Sequence, residues 1–422
     1  MRRMAILTRQ ASERRRLTII GGGPAGLSAA IASSELRPLL LESGSGIEFR
    51  DHSLHLRLTE GVGGAGLYSD GKFSFWPSAS KLWQLDAELV AEAYSWYQAR
   101  VSQAGVAIPN LSAVREPAQG VPVEVGRHVE KIYRSEYATL KQRSDLIRSL
   151  VNSVGEVRAG TSVKELSWLD DLWHVSTGDG HVFVSDNVIL AGGRFGPLLL
   201  RNEMVKTLMR FIRVEVGVRI EQDASDFFLR AHTQLDPKLV WRLSADSEEW
   251  RTFCCCRDGE VVTTRSGGWT TVSGRADVRK TGRSNVGFNF RTTDEELARR
   301  ILGELSPTLS APYSATASLS DFLAESAGTE VHDALGPLAS GSLVDGLKRV
   351  VQDFPDLHNS AALVHGVGLE GIGAYPVVDR RLRSNLPRLY IAGDSVGSFR
   401  GLTAAFVSGY IAGLSVVRDR KS

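Results

Sequence analysis

Apolar residues come first in short unbroken runs, and later in the chain they alternate with polar ones. Residues 17–20 read as a short buried strand, followed by a glycine loop. Small residues from about 24 to 34 predict a helix, and residues 38–41 predict a second strand ending on Glu42. Together these make a strand–helix–strand opening. A glycine-rich loop is expected over 60–72. Helical periodicity marks 80–105 and 137–154, where Tyr137, Leu140, Leu146, Ile147 and Leu150 share a stripe. Residues 173–190 predict a hairpin turning at Gly178-Asp179-Gly180 and running into a buried strand. Strands with polar turns fill much of 205–350, with a helix around 293–305 and serine-rich loops after it. From Leu386 the buried-strand pattern returns, and a glycine turn and an apolar helix follow.

The order predicts one discontinuous α/β domain built from 17–75, 155–205 and 350–422. A basic tail (1–16) precedes it, a mostly helical insertion (76–154) interrupts it, and a sheet-rich α+β domain (206–349) is inserted in it. Length agrees, since 422 residues exceed one ordinary core. With 42% hydrophobic and 23% charged residues the composition is that of a soluble globular chain. A net charge of +2 gives no case for nucleic acid, and no run of about 18 apolar residues predicts a membrane span. Small molecules are the expected partners. The only cysteines, Cys254, Cys255 and Cys256, are adjacent and make no disulfide framework, which points to the cytoplasm. The histidines show no metal-ligand spacing, so no metal is expected.

A glycine pattern GxGxxG occurs three times, at Gly21/Gly23/Gly26, Gly61/Gly63/Gly66 and Gly366/Gly368/Gly371. Only the first follows an apolar strand and opens a helix, the context that a dinucleotide site requires. Gly21 permits the turn, Gly23 lets a pyrophosphate approach the backbone, and Gly26 lets helix and strand pack closely. Pro24 and Ala25 begin the helix, whose free N–H groups face the phosphates. Glu42, with Ser43 beside it, ends the second strand, where a carboxylate can accept bonds from ribose hydroxyls.

At the far end, residues 389–394 read as a buried strand closing on Gly393-Asp394, with a glycine turn and a helix after it. This resembles the second signature of the glutathione-reductase-like flavoprotein superfamily. The resemblance implies FAD, with Asp394 on the ribityl chain and the helix N-terminus at Gly401-Leu402 facing the flavin pyrimidine. Residues 188–193, including Ala191 and Gly192, are similar to that superfamily's strand before the crossing between domains, and Val163 matches its adenine contact. Residues 61–73 and 253–262 resemble a poorly characterised group of FAD-dependent dehydrogenases; Arg257 and Asp258 stand where that group has proline and glycine. The implied fold is a discontinuous Rossmann-like FAD domain with an inserted sheet-rich substrate domain. The implied activity is FAD-dependent oxidation or reduction of a small organic molecule; if NAD(P)H is the reductant, it is expected to bind transiently at the flavin face.

In the loop 61–72, Gly63, Gly64 and Ala65 leave the backbone bare, while Ser69, Asp70 and Lys72 offer hydrogen bonds and a cation near the flavin. His365, Glu370 and Tyr375 are the candidate proton-transfer residues. On a strand, Cys254 and Cys256 would share one face and Cys255 the other. Trp241, Trp250 and Trp269 would line a pocket or fill the core. The alternative functions are a flavin monooxygenase, a non-catalytic flavin-binding protein and a lipid reductase like the geranylgeranyl reductases.

Overall fold

The computed structural model describes residues 14–115, 123–125, 128–132, 134–200, 206–243, 247–266, 268–311, 314–324, 328–358 and 361–421. At its centre, strand Thr18–Ile20 lies in a parallel sheet. Leu39–Leu41 and Glu156–Arg158 follow on one side, Val188–Leu190 and Leu389–Ile391 on the other. These strands are apolar because both their faces are buried. Ile19, Leu39, Leu40, Ile189 and Ile391 are wholly buried, each side chain contributing about 1.5–3 kcal/mol.

Two helices from opposite ends of the chain pack on this sheet, Pro24–Ala32 and Leu402–Lys421. They meet through glycines one turn apart. A Cβ on Gly409 would run into the Ala25 backbone, and one on Gly413 would lie 2.7 Å from Ala32 Cβ. Helix Ala87–Gln103, capped by Asp86, joins them through a 3.0 Å hydrogen bond between the Tyr97 and Thr403 hydroxyls. Helix Leu140–Asn152 starts in a capping box formed by Thr139 and Gln142.

The expected hairpin is present as Leu172–Thr177 and Val182–Ser185, with Val163–Leu169 as a third antiparallel strand. Arg14–Arg15 pairs with Val184–Ser185, so the end of the expected tail is a strand; residues 1–13 lie outside the described residues.

The sheet-rich part is one eight-stranded sheet. Its middle is Met209–Asp223, antiparallel to Arg283–Thr292 on one side and to Leu363–Pro376 on the other. Val214, Val216, Val218 and Ile220 point into a core shared with helices Glu295–Leu309 and Glu330–Asp353. Trp241 and Trp250 fill this core, and Trp269 stands edge-on to Phe195 at its margin.

Three expectations change. Residues 363–376, placed by sequence in the parallel-sheet domain, belong to the eight-stranded sheet, because their alternation matches the long strand beside them. Val123–Val125 and His128–Lys131, from the expected helical insertion, form that sheet's opposite edge. Instead of serine-rich loops, the chain forms strand Ala315–Ser318, helix Leu319–Leu323 and the long helix Glu330–Asp353. Gly336 (φ +74°) and Pro337 imitate a helix stop, but they only kink it; Val331, Leu335, Ala339, Leu343 and Leu347 form one continuous buried stripe.

The glycine contact between the end helices gives a direct test. Gly409→Val should destabilise the chain by about 1–3 kcal/mol in urea denaturation, through overpacking. Gly303→Ala, at a helical glycine with open space around it, should instead stabilise by about 0.4–1 kcal/mol.

Candidate functional site

Helices starting at Ala87, Leu140, Glu295 and Glu330 each begin under a capping side chain. The helix at Pro24 begins at Gly23 with no side-chain cap. Its first N–H groups therefore face outward from the turn, with the positive end of the helix dipole behind them. Gly21 has φ +105°, and a Cβ there would strike the Ala191 carbonyl; a Cβ on Gly26 would strike that of Gly21. At Gly23 a Cβ would meet only Gly64 Cα, at 3.8 Å. The turn is tight where the chain must fold and open where a ligand would sit.

Glu42 is buried beside this turn. Its carboxylate accepts from Gly22 N at 2.7 Å, Gly44 N at 2.8 Å and Gly61 N at 2.9 Å, with the Ser43 hydroxyl at 3.1 Å. It therefore also fastens three glycine turns together. Val163 starts its strand just after Thr161, whose N–H bonds Glu42 O. Ala191 N bonds Ile20 O, and Gly192 follows.

From the other end of the chain, Gly393 comes close to Ala25, since a Cβ there would lie 3.0 Å from Ala25 Cβ. Gly66 is wedged between Leu402 and Pro24, so the loop, both helix starts and Gly393-Asp394 converge. Gly401, with φ +99°, faces open space. Asp394 Oδ1 is buried without a hydrogen-bond partner, with Arg400 Nε 3.7 Å away and Arg194 Nε 3.9 Å from Oδ2.

The loop 61–72 is held by arginines. Arg50 donates to the carbonyls of Leu58, Val62 and Gly64, and Arg143 to those of Leu67 and Ala138. Gly63 N bonds Gly22 O at 2.8 Å, Gly64 lies on Gly23, and Ala65 is at the loop's outer bend. Ser69 donates to Gly66 O. Lys72 pairs with Asp236 at 2.7 Å. Burial lowers the affinity of Lys72 for its proton, but the Asp236 charge outweighs this and holds its pKa above the usual value. Asp70 is pushed the other way for an acid: burial, then the Asp236 charge, raises its pKa.

Glu370 binds Arg194 at 2.7 Å and Arg400 at 3.3 Å, and so belongs to the Asp394 network. Tyr375 is buried; its ring packs against Gly397 and its hydroxyl accepts from Ile372 N at 3.0 Å. Burial, then Asp394, raises its pKa. His365 stands apart, opposite Arg219 in the sheet, with Thr316 at 3.0 Å and Glu221 at 3.4 Å. On the same strand, Glu370 lies between Leu369 and Gly371, which pair with Val216 and Glu215.

Sequence reasoning missed the other half of this network. Glu215, 1% exposed, binds Arg213, Arg251 and Arg400, with Arg291 at 3.7 Å. Burial alone would raise its pKa, yet Arg251, Arg400 and Arg213 hold it well below the usual carboxylate range. Nearby Lys238 is lowered to about 7 by burial and by Arg251. Asn289 Oδ1 and Asn285 Nδ2 are buried on the same sheet without partners. The available signal was the alternation of Glu215, Arg219 and Glu221 with Val214, Val216, Val218 and Ile220, a polar face that reads as solvent-exposed.

The chain is an α/β protein: a Rossmann-like parallel-sheet domain joined to a sheet-rich α+β part. No family model matches it, and no curated protein does. Among solved structures it is similar to glycine oxidase from Geobacillus kaustophilus, at 12% identity and TM-score 0.43, covering 96% of this chain and 95% of that one. It is similar to NikD, an amino acid oxidase of nikkomycin biosynthesis, at 13% identity and TM-score 0.48, covering 97% and 95%. It is also similar to CtdE in complex with FAD, at 14% identity and TM-score 0.38, covering 94% and 83%. Likenesses this distant assign neither substrate nor reaction to the chain. Among the described residues, no helix is long and apolar enough to cross a membrane, and no group of three acidic, histidine or cysteine side chains could hold a metal ion.

Glu215 makes a pH-dependent prediction. Its folded pKa lies below the ordinary value of 4.5, so its stabilisation is fully present above that value and is lost as pH falls through the folded pKa. Glu215→Gln should therefore destabilise the chain by about 3–5 kcal/mol at neutral pH, because it leaves several arginines buried without their counter-charge. The gap to the parent protein should narrow as urea denaturation is repeated at increasingly acid pH.

Proposed function

We propose that this chain is an FAD-dependent oxidoreductase acting on a small organic molecule. The observation that carries this reading is the convergence of an uncapped helix start, a bare glycine loop and Asp394. That carboxylate oxygen is buried with Arg400 3.7 Å away but no hydrogen-bond partner, which fits an acceptor waiting for a ribityl hydroxyl.

In this reading Gly21, Gly23, Pro24, Ala25 and Gly26 hold the pyrophosphate against the helix N-terminus. Glu42 and Ser43 take the ribose, and Val163 with Ala191 and Gly192 flank the adenosine side. Gly63, Gly64, Ala65, Ser69 and Asp70 lie along the cofactor, and Gly401-Leu402 directs the second helix start at its pyrimidine edge. When bound, the flavin supplies a two-electron acceptor or donor at N5, with NAD(P)H as a transient reductant. Lys72, held charged by Asp236, sets a positive potential beside the loop. Glu370 and Tyr375 act as positioning residues: the first orients Arg194 and Arg400 toward Asp394, and the second fills the space at Gly397. His365, farther along the same strand beside Thr316 and Glu221, is the remaining candidate for proton transfer with the substrate.

The purified protein should be yellow and should bleach on anaerobic reduction by its substrate or by NAD(P)H; a colourless protein that refuses added flavin overturns the reading. Asp394→Ala should weaken FAD binding about 10- to 100-fold, the worth of a charge-assisted hydrogen bond, as followed by flavin fluorescence on titration. Cys255→Ala, whose side chain points into the apolar core, should leave that affinity unchanged.

A further inference from the structure

The three cysteines end strand Glu248–Cys256 at an irregularity. Phe253 faces Gly287 and Cys256 faces Asn285, so one extra residue is taken up between them, and Cys254 adopts φ +50°. Such a bulge re-aims side chains. Cys255 turns into the apolar core, whereas Cys254 and Cys256 share the polar face with their Sγ atoms 3.9 Å apart. All three are free thiols. A disulfide needs about 2 Å between sulfurs, so the two side chains must turn toward each other to close it.

Arg219 lies behind the pair, 2% exposed. It donates to Asn285 Oδ1 at 2.7 Å, to Cys254 O at 2.6 Å and to Cys256 Sγ at 3.6 Å. These partners are an amide, a carbonyl and a thiol, and it forms no ion pair with a described carboxylate. A buried guanidinium is stabilised by a nearby anion, and the groups beside it that can become one are the thiols of Cys254 and Cys256. Glycines make the room: a Cβ on Gly274 would lie 2.7 Å from Cys256 Sγ, and one on Gly259 3.0 Å from Cys256 Cβ. Cys254 is partly exposed and Cys256 is buried. The pair thus has an open side and a charged side.

We propose that Cys254 and Cys256 form a redox-active dithiol that a hydroperoxide closes to a disulfide, with Cys254 as the attacking thiol and Cys256 as the resolving one. The hydrogen bond to Cys256, then burial, holds the Cys254 thiol well above its usual pKa, so its proton must be taken as it reacts. The leaving peroxide oxygen takes that proton. With hydrogen peroxide, Cys254 Sγ attacks one oxygen: an S–O bond forms, the O–O bond breaks, and the other oxygen leaves as water with the thiol's proton. Cys256 Sγ then attacks the Cys254 sulfenic acid: the S–S bond forms, the S–O bond breaks, and a second water leaves. Two thiols and one peroxide become one disulfide and two waters. The same bulge is tied to the loop 61–72, since Cys255 N donates to Asp236 Oδ1 at 2.9 Å while Asp236 Oδ2 holds Lys72.

The inference goes beyond the flavin reading, and its readout uses no flavin. The full chain, as purified, is reduced, freed of reductant, exposed to hydrogen peroxide, unfolded in iodoacetamide and digested. Peptide mass spectrometry should find Cys255 alkylated alone and the 254–256 peptide two hydrogens lighter, with dithiothreitol restoring three alkylation sites. Closure should be about tenfold faster in the native protein than in urea, where no fold holds the thiols near Arg219. Cys256→Ser should leave Cys254 as a sulfenic acid that dimedone captures, and Cys254→Ser should give no adduct. Three alkylated cysteines after peroxide, a bridge that includes Cys255, or an equal rate in urea would each overturn the proposal. The native-against-urea comparison stands even where a variant fails to fold.

Discussion

Two helix axes can approach only as closely as their side chains allow, and here the contact is made by glycine. Gly409 and Gly413 lie directly on the backbone of Ala25 and Ala29, leaving no room for a single added carbon. That contact fixes where both helices begin, and the rest of the site follows from it. Gly393 is carried to Ala25, and Gly66 is caught between Pro24 and Leu402. Two helix starts facing one spot bring like partial charges together, each equivalent to about half an elementary charge. Other long helices of the chain neutralise such an end with Asp or Thr, while the one at Pro24 does not. An anion placed there relieves the conflict, which is why the arrangement reads as a binding site and not only as packing.

The parallel sheet was legible in the sequence because burial on both faces leaves no polar alternation to confuse the pattern. Context separated the glycine set at Gly21 from two look-alikes, since only that set lies between an apolar strand and a helix. The long helix at Glu330 was not legible, because Gly336 and Pro337 are ordinary stop signals and its buried stripe is made partly of small residues. Gly346 is small for a tertiary reason: the Trp250 ring lies against it, and a Cβ there would come within 2.7 Å of the ring. Such a constraint is set by a residue almost a hundred positions away, and no local pattern carries it. The start of the third part of the parallel-sheet domain is not legible for a similar reason, since residues 363–376 become a strand of the other sheet only through their partners.

The candidate site divides along the same line. Glycines and Asp394 could be singled out from spacing, because a backbone that must approach a ligand restricts residue type locally. The ion network around Glu215 could not. Its members come from separate strands and a turn, and each, taken singly, is an ordinary charged residue on the polar face of a strand. Burial turns that face into a rigid layer, since a carboxylate among Arg213, Arg251 and Arg400 can neither leave nor take a proton without large cost. Arg194, Glu370 and Arg400 extend the layer to Asp394, so the eight-stranded sheet and the turn at Gly393-Asp394 share one electrostatic frame.

Along this frame, Arg219 differs from the other buried arginines. Arg213, Arg251 and Arg400 each meet Glu215, whereas Arg219 meets Asn285, a carbonyl and a thiol. Structural stability alone would favour a carboxylate in that place, since an uncompensated buried charge is costly. The position instead holds a group whose charge depends on protonation and oxidation. Cys255, with the same atoms one residue away, points into apolar surroundings and meets no cation at hydrogen-bond distance among the described residues. Two sulfurs of one strand thus lie on the polar face beside Arg219 and the third in the apolar core, and the single extra residue of the bulge produces that division.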